Sequence, residues 1–160
     1  MSIVSDIEKL KKEKNAVILA HYYVDDDVQD VADYIGDSFY LSKVATKVSQ
    51  DRIIFAGVEF MGESAKILNP EKRVFMPDIN ADCPMAHMAD KDEILKLREQ
   101  YDDLAVVCYI NSTAELKKYS DVCVTSSNAV KIVKNLPNKN IFFIPDRNLG
   151  HFVAKQCPDT

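Results

Sequence analysis

Apolar positions along this chain switch repeatedly between the two regular periods. Ala16-Val17-Ile18-Leu19-Ala20 is an unbroken apolar run of strand length, as expected for a strand buried on both faces. Val28, Val31, Ala32 and Ile35 then fall at i, i+3, i+4 and i+7, which predicts a helix that Gly36 is placed to stop. Leu41, Val44, Ala45 and Val48 repeat the spacing and predict a second helix. Ile53-Ile54-Phe55-Ala56 reads as a strand, Met61 to Leu68 as a short helix and Val74-Phe75-Met76 as another strand. Ahead of all this, Ser5-x-x-Glu8 has the form of a capping box opening a short, lysine-rich first helix.

The pattern then starts again. Helix is predicted from Asp92 to Gln100, strand over Leu104 to Tyr109, and a short helix from Thr113 to Lys118. A strand at Val122-Cys123-Val124 precedes a helix bearing Ala129, Ile132 and Val133. Ile141 to Ile144 is a strand, and Leu149 to Lys155 begins one more helix. The halves align loosely. Tyr34-Ile35-Gly36-Asp37-Ser38 answers the stretch from Tyr119 to Ser126, and IIFAGVEFMGESAKI answers IFFIPDRNLGHFVAK. The expectation is an α/β protein of two similar units, residues 1–85 and 86–160, with the boundary near Pro84 to Asp90. Strands and helices alternating at these lengths imply parallel sheets covered by helices on both faces.

Composition narrows the function classes. The chain has 160 residues, 47% hydrophobic and 28% charged, which suits a globular protein with a full core. A net charge of −5 without any basic stripe argues against nucleic acid. The longest apolar runs are strand-sized, too short for a membrane-spanning helix. The segment Met1 to Asp6 has no apolar signal-peptide core, and the four cysteines form no CxxC pair. A cytoplasmic protein with reduced thiols is the expectation. Neither GxGxxG nor GxxxxGK[ST] occurs, so nucleotide phosphate loops are not indicated.

In open parallel sheets ligands bind beyond the carboxyl ends of the strands. Here those ends carry His21-Tyr22-Tyr23, Asp37-Ser38, Gly57 with Glu59, and the loop holding Cys83. The second unit offers Tyr109 and Asn111, then Thr125-Ser126-Ser127-Asn128, then Asp146-Arg147-Asn148. Such a set suits a small anionic substrate. Each has a plainer role as well: His21 as a structural histidine, and Ser38, Ser112 and Ser126 as helix caps. Helix starts with free hydroxyls can also cradle a carboxylate or phosphate. Asp25-Asp26-Asp27 reads as helix-start carboxylates rather than a metal shell. Tyr22 and Tyr23 should point opposite ways, one into the core and one toward the site. Cys108 and Cys123 lie within strands and are expected in the core, and Cys157 is read as incidental. Cys83, in a polar loop just past a strand, is placed to bind something, although free cysteines usually pack as small hydrophobes.

The segments AHYY, GDS, GVEFMGESAKILNP, PDINADCPMA, CYINSTAELKKYSDVCVTSSNAV and PDRNLGHFVAK, in this order and spacing, resemble quinolinate synthase. The likeness runs from about Ile18 to Lys155. It implies αβα units with short parallel sheets, two of that family's three pseudo-threefold repeats. It also implies condensation of iminoaspartate with dihydroxyacetone phosphate to quinolinate in NAD biosynthesis, with L-aspartate oxidase a candidate supplier of the iminoaspartate. A [4Fe-4S] cluster would act as Lewis acid, and Cys83 would be its first ligand. By the same resemblance Tyr23 would serve acid–base chemistry, and His21, Ser38, Tyr109, Asn111 and Ser126 would bind substrate. The other two cluster cysteines belong to parts of the family pattern beyond this chain, and Cys157 comes too early to be one. One thiolate cannot hold a cubane cluster. The expectation is therefore part of a synthase, inactive by itself. The alternatives are a non-catalytic module binding a dicarboxylate or triose phosphate, and self-assembly of several Cys83 thiols around one cluster.

Overall fold

The computed structural model describes residues 2–158. The chain divides into two compact units, Met1–Asp82 and Cys83–Thr160. In the first, helix α1 (Ile3–Glu13) leads through Asn15, at φ 49°, into strand β1 (Ala16–His21). A one-turn helix α2 (Asp26–Gln29), strand β2 (Tyr34–Gly36), helix α3 (Ser38–Ala45), strand β3 (Arg52–Ala56), helix α4 (Glu59–Leu68) and strand β4 (Arg73–Phe75) follow. The sheet is parallel throughout, in the order β2-β1-β3-β4. Val17, Leu19, Ile53 and Phe55 are buried in its centre, and Leu41, Phe60 and Met61 cover them from α3 and α4. Each such side chain contributes about 1.5–3 kcal/mol on burial.

The second unit opens with a 3₁₀ turn, Pro84–His87. It continues as α5 (Lys91–Gln100), β5 (Leu104–Tyr109), α6 (Ala114–Lys118), β6 (Val122–Val124), α7 (Ala129–Val133), β7 (Asn140–Ile144) and α8 (Arg147–Gln156). Its parallel sheet has the order β6-β5-β7. Alternate residues of β5 face opposite ways. Val106 and Cys108 pack with Ile94, Leu116 and Ile144, while Val107 packs with Val124, Ala129, Val133 and Val153. The expected class, α/β with parallel sheets flanked by helices, is what the chain adopts.

Four local expectations are corrected. The cap of α1 is Ser2, whose hydroxyl accepts from Ser5 N, so the Ser5–Glu8 capping box does not form. The helix expected across Val28 to Ile35 is one turn followed by β2. The apolar spacing there spans two different elements, and pairing of Tyr34, Ile35 and Gly36 with Leu19, Ala20 and His21 outweighs it. Gly36 therefore ends a strand; a Cβ there would run into the Tyr40 ring. Ser112 caps nothing, because Thr113 is the cap of α6. Cys123 is exposed on β6, which is an edge strand among the described residues.

Candidate functional site

Each unit gathers its candidate residues where its central strand ends and the neighbouring edge strand passes into a helix. In the first unit His21 closes β1 in register with Gly36, and Tyr22 N donates to Gly36 O at 3.2 Å. That pairing sets His21 beside the start of α3. Asp37 caps this helix, its carboxylate accepting from Tyr40 N at 2.7 Å, and Ser38 is its first residue. Ser38 is half-buried and free of the capping role expected for it. Its backbone carbonyl accepts from the Ser42 hydroxyl at 2.7 Å.

The rings of His21, Tyr22 and Tyr23 form a cluster with centroids 4.6 Å apart pairwise. Both tyrosines are exposed, Tyr22 by 47% and Tyr23 by 81%, so the expectation that one enters the core is not met. The segment turns immediately after β1, with Val24 N donating to His21 O, and the alternation of an extended strand is lost. Tyr23 N also donates to His21 Nδ1 at 3.2 Å. With Nδ1 accepting, a neutral ring carries its proton on Nε2 and presents a donor there. Burial lowers the His21 pKa, and the Asp37 carboxylate partly opposes that shift. The neutral form is favoured.

In the second unit Tyr109 closes β5 opposite Val124, and Ile110 N donates to Val124 O at 2.8 Å. Tyr109 and Asn111 are half-buried and Ser126 is exposed. The buried Ser112 hydroxyl anchors the turn, donating to Tyr109 O at 2.9 Å. Thr125 N donates to the Asn128 side-chain oxygen at 2.7 Å, which fixes the loop carrying Ser126. Asn128, not Ser126, is the cap residue of α7.

Cys83 is half-buried at the head of the 3₁₀ turn, where its carbonyl accepts from Ala86 N at 2.9 Å. Just before it, Ala81 O accepts from Glu59 N at 2.8 Å, tying the preceding loop to the start of α4. Among the described residues no three His, Cys, Asp or Glu side chains converge as a metal shell. Cys108 and Cys157 are buried in the second unit's core. The thiols of this chain alone therefore do not fit a cubane cluster, which takes several thiolates around one centre. The three aspartates Asp25 to Asp27 do open α2.

Sequence reasoning passed over Asp37 as the group acting on His21, and Asp33 and Asp121, which brace the two central strands. The signal for the last two is the repeat itself. At an offset of 88 residues His21 falls on Tyr109, Tyr23 on Asn111, Ser38 on Ser126 and Asp33 on Asp121.

Comparison with known proteins finds close relatives of this chain. The family model described as Quinolinate synthetase A protein matches residues 5–160. The quinolinate synthase of Fusobacterium nucleatum subsp. nucleatum is 67% identical over 150 residues, covering 94% of this chain and 50% of the relative. That of Caldicellulosiruptor saccharolyticus is 55% identical over 157 residues, covering 98% and 52%. That of Clostridioides difficile is 56% identical over 153 residues, covering 96% and 50%. The chain spans about half the length of these curated relatives.

Proposed function

We propose, from the premise that this chain belongs to the quinolinate synthetase A family, that it supplies the substrate-holding half of a quinolinate synthase. The reaction is the condensation of iminoaspartate with dihydroxyacetone phosphate to quinolinate for NAD biosynthesis, in the cytoplasm. No helix among the described residues is long and apolar enough to cross a membrane. The single observation that carries the reading is the His21 arrangement: an imidazole whose Nδ1 accepts from Tyr23 N, in register with Gly36, two residues before Ser38 opens α3.

His21 donates from Nε2 to a carboxylate, phosphate or carbonyl oxygen, and the Ser38 hydroxyl adds a second donor. The exposed Tyr23 phenol, ring to ring with His21, moves a proton to or from the bound substrate. Within the second unit, Tyr109 and Asn111 are substrate-contacting groups, and Ser126 offers a hydroxyl to an anionic group. Cys83 is one ligand of a [4Fe-4S] cluster whose other thiolates come from outside this chain. Iminoaspartate supplied by L-aspartate oxidase belongs to the same proposal.

The test is anaerobic reconstitution of this chain, wild type and Cys83→Ala, alone and mixed with the C-terminal half of the Fusobacterium relative. Iron, sulfide and quinolinate are measured in each sample, and the relative's own two halves recombined are the positive control. Cluster and product are expected only in the wild-type mixture. Equal iron in Cys83→Ala, or no product while the control is active, defeats the reading. The second reading, a binding module without catalysis, draws on the single cluster thiol. Saturable binding of a dicarboxylate or triose phosphate by iron-free chain, with no product in the mixture, would select it.

A further inference from the structure

We propose that Cys108 and Cys123 form a dithiol that peroxide closes into a disulfide, a modification site beneath the strand ends of the second unit. Cys108 on the central strand β5 and Cys123 on the edge strand β6 are register partners in a parallel pair. Adjacent strands lie about 4.8 Å apart, inside the Cα window of about 4.4–6.8 Å that a disulfide accepts. As register partners the two side chains share a face of the sheet. Neither is in a disulfide. Cys108 is fully buried beside Val106, Leu116 and Ile144, whereas Cys123 is exposed. One sulfur thus meets solvent, and the other waits behind it.

The first unit supplies an internal comparison. At the 88-residue offset the equivalent register partners are Ala20 and Ile35. The fold therefore needs no thiol at either position. The surroundings in the second unit favour a thiolate. The Ser112 hydroxyl lies 2.8 Å from Cys108 Sγ. The Cys108 thiol is lowered to about 6, first by the hydrogen bond with Cys123 and then by Ser112, Ser120 and the Lys117 charge, against burial. Cys123 is raised, because it keeps the shared proton. The pair accordingly loses one proton near neutral pH and holds the second between its sulfurs.

The chemistry follows. The Cys108 thiolate takes the Cys123 proton as Cys123, the sulfur that meets solvent, attacks one oxygen of hydrogen peroxide. An S–O bond forms, the O–O bond breaks, and the departing hydroxide is protonated to water. Cys108, its proton passed to solvent, then attacks Cys123 Sγ. The S–S bond forms, the S–O bond breaks, and the second hydroxide leaves as water. Two thiols lose two electrons and one peroxide becomes two waters. The bond ties the segment running into Tyr109 and Asn111 to the segment running into Thr125 and Ser126. It does not depend on what those segments bind.

The test treats the chain with hydrogen peroxide, blocks remaining thiols with N-ethylmaleimide and maps tryptic peptides by mass spectrometry. Peptide 99–117, holding Cys108, is expected to be linked to peptide 119–131, holding Cys123. The link should form in wild type and Cys83→Ala, and be absent in Cys108→Ala and Cys123→Ile. These two variants restore the first unit's residues, and either one suffices should the other fail to fold. Thiol loss should be about tenfold faster in wild type than in either variant. Full alkylation of both thiols after peroxide overturns the proposal. So does oxidation of Cys123 without the link, or its joining to Cys83 or a second chain.

Discussion

Asp33 and Asp121, 88 residues apart, grip their central strands in the same way. The Asp33 carboxylate accepts from Ile18 N at 2.8 Å while Asp33 N donates to Ile18 O at 2.9 Å. Asp121 repeats this on Val106, at 2.7 and 2.9 Å. A cation completes each arrangement. Lys11 Nζ bonds Asp33 at 2.8 Å and Val31 O at 3.3 Å, and an Arg98 terminal nitrogen bonds Asp121 at 2.8 Å and Tyr119 O at 3.0 Å. The repeat is thus kept in hydrogen bonding where the side chains have diverged.

Removing either carboxylate leaves a strand N–H without its partner. Asp33→Ala and Asp121→Ala should each cost about 1–3 kcal/mol. The two sites share no bond, so the double variant should show roughly the sum. Urea unfolding followed by circular dichroism measures this. Loss of only a few tenths in each single variant would mean that the clamps carry no weight.

His21 should titrate below the ordinary value of about 6.5, because burial disfavours its charged form and Asp37 only partly restores it. The unfolded chain then binds the proton more readily than the folded one. This contribution to stability is full above about 6.5 and is lost as pH falls through the folded value. Asp37→Asn keeps a capping side chain but removes the charge, so the His21 midpoint should move lower still. Imidazole resonances followed by NMR against pH decide the matter; an unmoved or higher midpoint would deny the coupling.

Gly62 and Gly150 are repeat equivalents in α4 and α8, yet alanine should affect them differently. A Cβ at Gly62 would meet the thioether end of half-exposed Met76, whereas one at Gly150 would meet the ring and Cβ of Phe143 at 3.1 and 3.2 Å. Overpacking costs about 1–3 kcal/mol, against a helix-propensity gain of about 1 kcal/mol. Gly62→Ala should hold or raise the melting temperature, because the flexible end of Met76 can give way, and Gly150→Ala should lower it, because Phe143 Cβ is fixed to the β7 backbone. Equal effects would contradict this packing.

The thiol pair predicts a pH dependence of its own. Thiolate ultraviolet absorbance, followed in Cys83→Ala, should rise through about 6, because Cys123 as hydrogen-bond donor lowers the Cys108 thiol. Cys123→Ala removes that donor, so the midpoint for Cys108 in that variant should climb. A curve unchanged by the substitution would show that the shift has another source.

Most elements could be read directly, because β1, β3, β5 and β7 are continuous apolar runs and α3 buries Leu41, Val44 and Ala45 at helical spacing. Two of the failures share a cause. β2 is three residues long and owes its form to the ladder with β1, which no local window contains. Cys123 looked like a core residue because a strand's place at the edge of a sheet is also non-local. The candidate site was legible as a list of strand ends, since topology sends ligands there. Its pairings were not. Asp37 acting on His21 and Cys108 meeting Cys123 both depend on which strands become neighbours.

The division at Asp82 and Cys83 also bears on the order in which the protein is made. Every strand pairing lies within one contiguous stretch, β1 to β4 before the boundary and β5 to β7 after it. Ribosomes add about 5–20 residues per second. The first sheet can therefore close several seconds before the last strand of the second is synthesised. Closure in that interval would withdraw the buried core of the first unit from chaperones and proteases.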